Sequence, residues 1–320
     1  MTKFGYTLMT EINDPRTLVR NAVRAEAAGF DFAVISDHFH PWLESQGHSP
    51  FAWSVLGAVA DRTERMELMT MVTCPTHRYH PAIIAQAAAT IQYMSQGRFT
   101  LGVGSGENLN EHVVGQGWPS PEVRQDMLVE ALEVIRLLWE GGVKEYHGDF
   151  FSLQEARLYT LPEFPPPIAV AAGGPRAAGE AGKFGDGLIA TEPKADLVRA
   201  FHASGGAGRP VYGQLPVCWG EDEKAARKAA HERFRFGVLG WKVQSELPGP
   251  VNFEAASKFV SEEDVAELVP SGPDPERTVD ALQKFIDAGF DHVALLQADP
   301  TKEDGFLHWW TNEVAPRLRG

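Results

Sequence analysis

The chain has 320 residues, 43% of them hydrophobic, with 29 basic and 43 acidic side chains and a formal net charge of −14. That balance argues against nucleic acid or an anionic membrane surface as partner, so any anionic ligand needs a local cluster of donors. Cys74 and Cys218 are too few for a disulfide framework or zinc cluster, the opening MTKFGYTLMTEIND lacks the apolar core of a cleavable leader, and no run reaches the roughly 18 apolar residues of a membrane span; a reducing, cytoplasmic setting is expected.

From the amino terminus, FGYTLM reads as a first strand with Glu11 just past it, and PRTLVRNAVRAEAAG as an amphipathic helix. A joint follows that the chain uses again: a helix ending in Ala-Gly, an aromatic residue and an aspartate, then a short apolar run. The copies are AEAAGFDFAVIS at 25–36 and IDAGFDHVALLQ at 286–297, with a looser AGKFGDGLIAT at 181–191. Glycine just past a helix end supplies a left-handed cap, and the apolar run after it is the next strand. Further strand-like runs lie at 66–73, 98–106, 166–174 and 211–220, alternating with helical stretches such as PAIIAQAAATIQYMSQG and VRQDMLVEALEVIRLLWEG. Apolar strands spaced by helices form βαβ units around a parallel sheet buried on both faces. About seven or eight such units predict an α/β chain closed into a (β/α)8 TIM barrel in preference to an open doubly wound sheet. Residues 141–167 and 233–273 are too long for simple connections and are expected as insertions on the carboxyl-terminal rim. No Ser/Gly linker divides the chain, so 1–320 reads as one domain.

In a parallel barrel the residues just after each strand gather at one mouth. These are Asp37 and His38, Thr73 and Cys74, Ser105 to Asn110, Gly173 and Gly174, Thr191 and Lys194, and Gln297. SDHFHPW admits two readings. His38 and His40 have the spacing of a metal pair, but a metal also needs ligands from other strand ends, and His77 and His80 lie several residues past theirs. The other reading is a flat organic cofactor gripped near Asp37 and His38, with Trp42 as a wall. Two glycine-rich loops, GSGENLNE at 104–111 and AAGGPRAAGEAGKF at 171–184, each follow a strand and open a helix. Free backbone N–H groups there receive an anion, although tight βα turns alone also explain such loops. Arg176 adds a cation to the second, and neither has the dinucleotide spacing. Glu107 is either a partner for the helix dipole or, across the mouth from His38, half of an acid and base pair. Glu11 is a third candidate.

At these residues the chain resembles the luciferase-like flavin and deazaflavin barrel superfamily, and within it the coenzyme F420-dependent glucose-6-phosphate dehydrogenase family. The resemblance runs over nearly the full length and is carried by SDHFHPW with GHSPF, CPTHRYHPAIIAQA, LGVGSGENLNE, IAVAAGGP with AGKFGDGLIAT, and the closing APRLRG. It implies coenzyme F420 as cofactor, a small-molecule sugar or alcohol as substrate, and a homodimer. Asp37 would then contact the deazaflavin, and Val72 with Cys74 would form the backing strand end, Cys74 standing where the family usually has Thr. The Met71–Val72 peptide falls at the family's non-proline cis bond. Ser105, Gly106 and Asn110 would bind the ring and ribityl chain, while Gly173, Gly174, Arg176 and Ala177 would cradle the phosphate. His38 and Glu107 would be the catalytic pair: His38 handles the carbinol proton as hydride leaves for the deazaflavin, and Glu107 exchanges the proton at ring N1. Trp42 and Glu11 would shape the substrate side.

One departure bears on substrate. Thr191 and Lys194 match the first half of the family's sugar-phosphate grip, but its later Lys and Arg fall near Gln244 and Ser245 and near Glu267 and Leu268, none of them basic. Lys242 and Lys258 lie in the same insertion as substitutes. The resemblance with this departure implies a dehydrogenase of sugar or alcohol CH–OH groups not optimised for glucose 6-phosphate. The alternatives are an F420-dependent reductase or an FMN-dependent monooxygenase, with a metal-dependent barrel hydrolase behind them.

Overall fold

The aspartates of the repeated joint show how the barrel is assembled. In the computed structural model, which describes residues 2–319, each accepts a hydrogen bond from the start of a neighbouring strand. Asp31 Oδ2 takes Phe4 N at 2.9 Å, Asp186 Oδ2 takes Ile168 N at 3.0 Å, and Asp291 Oδ1 takes Val211 N at 2.8 Å. These backbone donors lie at strand starts, where a side chain must supply the acceptor if the ladder does not. The helix before the first joint, Pro15–Ala27, begins at Asp14, whose side chain accepts from Arg16 N and Thr17 N, and the chain turns out of it at Gly29 with φ of +85°. Helix Pro275–Asp287 repeats the pattern from Asp274 to Gly289. The looser copy is built differently: Gly185 is extended, and a Cβ there would come within 2.8 Å of Ala181 O. Space, not handedness, selects that glycine.

The strands are β1 (Lys3–Leu8), β2 (Phe32–Ile35), β3 (Glu67–Thr70), β4 (Phe99–Val103), β5 (Lys144–His147), β6 (Ser152–Ala156), β7 (Ile168–Ala171), β8 (Gly187–Ile189), β9 (Val211–Val217) and β10 (His292–Gln297). Eight of them close a barrel in the order β1-β10-β9-β8-β7-β4-β3-β2, with every neighbouring pair parallel. Its interior is filled by side chains such as Phe32, Val34, Met69, Ile189 and Tyr212, while the other face of the strands packs under the helices through residues such as Phe4, Leu8, Ile35 and Leu101. Among the described residues no helix is long and apolar enough to cross a membrane.

The two long connections go to different places. Residues 233–273 return over the mouth as short helices, including Trp241–Gln244, Pro250–Ala256 and Glu262–Leu268. Ser245 O in this segment accepts from Asn108 N in the loop after β4 at 3.0 Å. Residues 141–167, expected on the same rim, belong elsewhere. They leave the end of helix Pro121–Trp139 and enter the start of β7, so they connect on the barrel's amino-terminal side. The β5–β6 hairpin lies along the outer helical wall, where Glu130 accepts from the backbone N–H groups of Asp149, Phe150 and Phe151. The rim expectation fails because length shows that a connection is elaborate without showing which end of the barrel it leaves.

One buried pair makes stability depend on pH. Tyr6 on β1 donates its hydroxyl proton to Glu303 Oε1 at 2.8 Å, and burial pushes the Glu303 carboxyl up to about 7. A carboxyl whose pKa rises on folding stabilises the fold while protonated, so its contribution is full below the unfolded value of 4.5 and is lost as pH climbs through about 7. The size is about 3 kcal/mol. Urea unfolding at about pH 4.5 and about pH 8 should show this loss in the natural chain and a flatter dependence in Glu303→Gln.

Candidate active site

Glu11, just beyond β1, and His38, just beyond β2, are neighbours because those strands pair. The Glu11 carboxylate accepts from Ser36 Oγ at 2.8 Å and Thr10 Oγ1 at 3.3 Å, and its other oxygen lies 3.3 Å from His38 Nδ1. His38 Nδ1 is also 3.2 Å from the carbonyl of His40. Both neighbours are acceptors, so in the neutral imidazole the proton belongs on Nδ1 and the lone pair on Nε2. Both side chains are buried. Trp42 packs 4.8 Å from the His38 ring and is backed by the rim segment, stacking on Phe236 at 4.9 Å and meeting Phe253 edge-on at 5.1 Å. His40 stacks on His112, and burial holds its pKa below the usual value with His112 adding to the effect. Among the described residues no three His, Cys, Asp or Glu side chains come together as a metal-holding group.

Asp37 is enclosed. Its carboxylate accepts from Thr73 Oγ1 and from Tyr79 OH at 3.1 Å, and pairs with Arg78 Nη2 at 3.1 Å. Asn110, also buried, spans two loops: Oδ1 accepts from Phe39 N at 2.8 Å and His40 N at 3.2 Å, while Nδ2 donates to Glu107 Oε2 at 3.2 Å. Both side chains, expected as ring contacts, also tie the loops of the mouth together. Asn110 fixes the half-buried Glu107 relative to the loop that carries His38.

The ends of β3 and β4 pack with almost no space between them. The Met71–Val72 peptide is cis, and a Cβ on Gly104 would lie 2.8 Å from Val72 Cγ2. Gly106 has φ of +84°, and a Cβ there would sit 2.6 Å from Cys74 Sγ. Burial pushes the Cys74 thiol well above its ordinary pKa, so this sulfur is a packing atom, not a nucleophile. Ser105 Oγ accepts from Gln125 Nε2 at 3.2 Å. The first glycine-rich loop opens only a single helical turn, Asn108–Glu111, which carries little of the dipole its sequence suggests.

The second loop is the better anion cradle. Gly174 starts helix Pro175–Phe184, and a Cβ there would meet nothing within 4 Å. Pro175 has no N–H, so the first free backbone donors are those of Arg176 and Ala177. Gly173 is exposed beside Trp241 of the rim segment. The Arg176 guanidinium is exposed and committed to Asp126 at 3.3 Å and Glu180 at 3.0 Å, so what this residue offers the cradle is its backbone. A cation that the sequence reading missed lies nearby. Arg124 is buried, reaches Glu246 Oε1 at 2.7 Å and lies over the Trp118 ring at 4.1 Å, leaving Nε and Nη1 without partners. The signal was a basic residue near the start of a helix, against the dipole. Thr191 and Lys194 are exposed, and Lys194 pairs with Glu192 at 2.7 Å. Gln244 donates to the Phe236 and Gly237 carbonyls, and Glu267 and Leu268 are exposed, so these positions supply no cation, while Lys242 and Lys258 of the same segment are exposed.

With the geometry in view, a family model described as luciferase-like monooxygenase matches residues 1–292. The chain belongs to that family. Within it the chain is 36% identical, over 99% of its length and 98% of the relative's, to an F420-dependent glucose-6-phosphate dehydrogenase of Rhodococcus erythropolis, and 37% identical over the same shares to that of Nocardia farcinica. Among solved structures it is similar to an F420-dependent secondary alcohol dehydrogenase in complex with an F420-acetone adduct, with a TM-score of 0.90 and 31% identity over 100% of this chain and 99% of that one. This luciferase-like barrel also contains three site residues that sequence reasoning passed over, Arg78, Tyr79 and Glu111. Glu111 is buried, its Oε2 accepts from Arg78 N at 2.8 Å, and burial pushes its carboxyl to about 7 against the opposing pull of Arg78.

Gly106 is where handedness and space coincide. Gly106→Ala should destabilise the protein by more than about 1 kcal/mol, read from the urea midpoint. Adding Cys74→Ala should recover only part of the loss, because removing the sulfur opens the space and leaves the φ penalty.

Proposed function

We propose that the protein is a coenzyme F420-dependent dehydrogenase that draws hydride from a carbinol carbon, and that its substrate is a neutral alcohol or sugar in preference to glucose 6-phosphate. The observation that carries this reading is the His38 imidazole, whose Nδ1–H is committed to Glu11 and the His40 carbonyl, leaving Nε2 as a base beside Trp42. The residues present fit the cofactor. Gly174 leaves an open cradle with the N–H groups of Arg176 and Ala177 at its edge, and the orphaned donors of buried Arg124 suit an anionic tail. Val72, Cys74, Ser105 and Gly106 would hold the ring together with Asp37 and Asn110, whose hydrogen bonds also keep the surrounding loops in place, and Gly173, Gly174, Arg176 and Ala177 would hold its phosphate.

A bound 5-deazaflavin supplies a carbon that accepts hydride and reacts poorly with oxygen. His38 Nε2 takes the proton of the substrate hydroxyl, and Glu11 steadies the charge that this places on the ring. Glu107 carries the other proton of the redox exchange, held at its station by Asn110. Trp42, backed by Phe236 and Phe253, offers an apolar wall to the carbon skeleton and keeps water from the reacting hydroxyl. A sugar phosphate is disfavoured because each missing charged hydrogen bond forfeits roughly 1.5–3 kcal/mol of dianion binding. Lys194, already paired with Glu192, replaces neither.

The same proposal includes a cytoplasmic homodimer. It is supported by two free, buried cysteines and by exposed Phe51, Ile83, Tyr93 and Met94 on or beside helices Ala52–Arg62 and Pro81–Met94. Titration with F420, FMN and NADP should show tight binding of F420 alone, and secondary alcohols or free sugars should then bleach the oxidised deazaflavin absorbance. Consumption of reduced cofactor by an acceptor, with no bleaching by any alcohol or sugar, would sink the dehydrogenase reading in favour of a reductase. His38→Asn should lower turnover by about 10²–10⁴-fold while cofactor affinity stays nearly unchanged.

A further inference from the structure

Behind the His38 and Glu107 loops lies a buried ion network that the chemistry above does not use. Its centre is Arg78, in the loop after β3, and β3 is the strand lying between β2 and β4 in the barrel. Arg78 Nη2 donates to the Asp37 carbonyl at 2.6 Å and pairs with Asp37 Oδ1 at 3.1 Å. Its Nε lies 3.7 Å from Glu111 Oε1 with no hydrogen-bond partner, and its backbone N–H donates to Glu111 Oε2 at 2.8 Å. We propose that Arg78 is a positioning residue: by tying the residue before His38 to the residue one helical turn beyond Glu107, it sets the separation of the two proton-handling groups. This rests on the catalytic reading of His38 and Glu107.

Three observations support the role. First, the network is enclosed: the Arg78, Asp37 and Glu111 side chains are almost wholly out of water, where desolvation of the charges offsets much of their attraction. Second, its ties end where the mouth needs them. The carbonyl of Asp37 is the backbone atom that orients the next residue, His38, and Glu111 shares with Glu107 the single helical turn after β4. Third, the cation count is one for two carboxylates. Glu111 faces Arg78, Cys74 and Tyr79 from the β3 loop, Asp37 from the β2 loop and Glu107 on its own turn. Burial lifts its carboxyl to about 7, so a proton makes up the balance near neutrality. Arg78 therefore holds the Asp37 backbone carbonyl independently of pH and grips Glu111 most strongly once Glu111 ionises.

The test compares Arg78→Gln, Arg78→Lys and Glu111→Gln by melting temperature, by F420 dissociation constant from fluorescence titration, and by the pH profile of kcat with the best alcohol of the screen above. Arg78→Gln should lower kcat about 100-fold while the F420 dissociation constant moves by less than about threefold, the pattern of misplacement without loss of binding. Arg78→Lys should recover part of kcat by restoring the charge without the fork. Glu111→Gln should remove an inflection near pH 7 from the kcat profile. Turnover by Arg78→Gln within about threefold of the natural enzyme overturns the proposal, as does a parallel fall of melting temperature, affinity and kcat that Arg78→Lys leaves unrepaired. If Arg78→Gln does not fold, Glu111→Gln decides, and an unchanged pH profile overturns the proposal. His38→Asn and Glu107→Gln separate the two levels: if both remain active, the catalytic pair is wrong and the role of Arg78 falls with it, whereas if both are silent and Arg78→Gln is active, only the positioning role falls.

Discussion

Closure of the barrel is the constraint on which the rest depends. Parallel strands of three to seven residues are too short to hold a sheet by their own ladders, and they persist because each is buried between the barrel filling and a helix. Parallel pairing of successive strands sets the ends of β1 to β4 side by side, so residues up to about a hundred positions apart share one mouth. Glu11 meets His38 only because β1 pairs with β2, and Arg78 reaches both Asp37 and Glu111 only because β3 separates β2 from β4.

The cations enclosed near the mouth are not the ones that stand out along the chain. A chain of net charge −14 keeps Arg78 and Arg124 buried near its glycine loops, whereas Arg176 and Lys194, the basic residues that stand out in the sequence, are exposed and neutralised by neighbouring carboxylates. Exposed pairs of that kind contribute little. A buried guanidinium with unsatisfied N–H groups is far more costly and therefore more informative about what the site is shaped to receive.

Much of the fold was legible because apolar runs and glycine joints are local signals. The strand after each Ala-Gly joint lies where its pattern puts it, and the loops behind Phe32–Ile35 and Phe99–Val103 do meet, Asn110 accepting from Phe39 N and His40 N. What was not legible depends on contacts between distant loops. KEYH and SLQEA carry no core alternation, since their hairpin is a surface element, and so were lost inside a long connection. Asp37 and Asn110 have the residue types of ligand contacts, yet their hydrogen bonds go to other loops. Arg78 and Glu111 were read only as letters within motifs, because nothing along the chain shows that the two will be enclosed together.

The aromatic backing of Trp42 comes from a segment that is separate from the strands holding Glu11, His38 and Glu107. Residues 233–273 thus behave like an exchangeable visor over a floor fixed by the strand ends. A transplanted visor that offered different side chains in place of Phe236 and Phe253 would alter which carbon skeletons are admitted, provided it kept the backbone carbonyl that receives Asn108 and so remained latched to the floor.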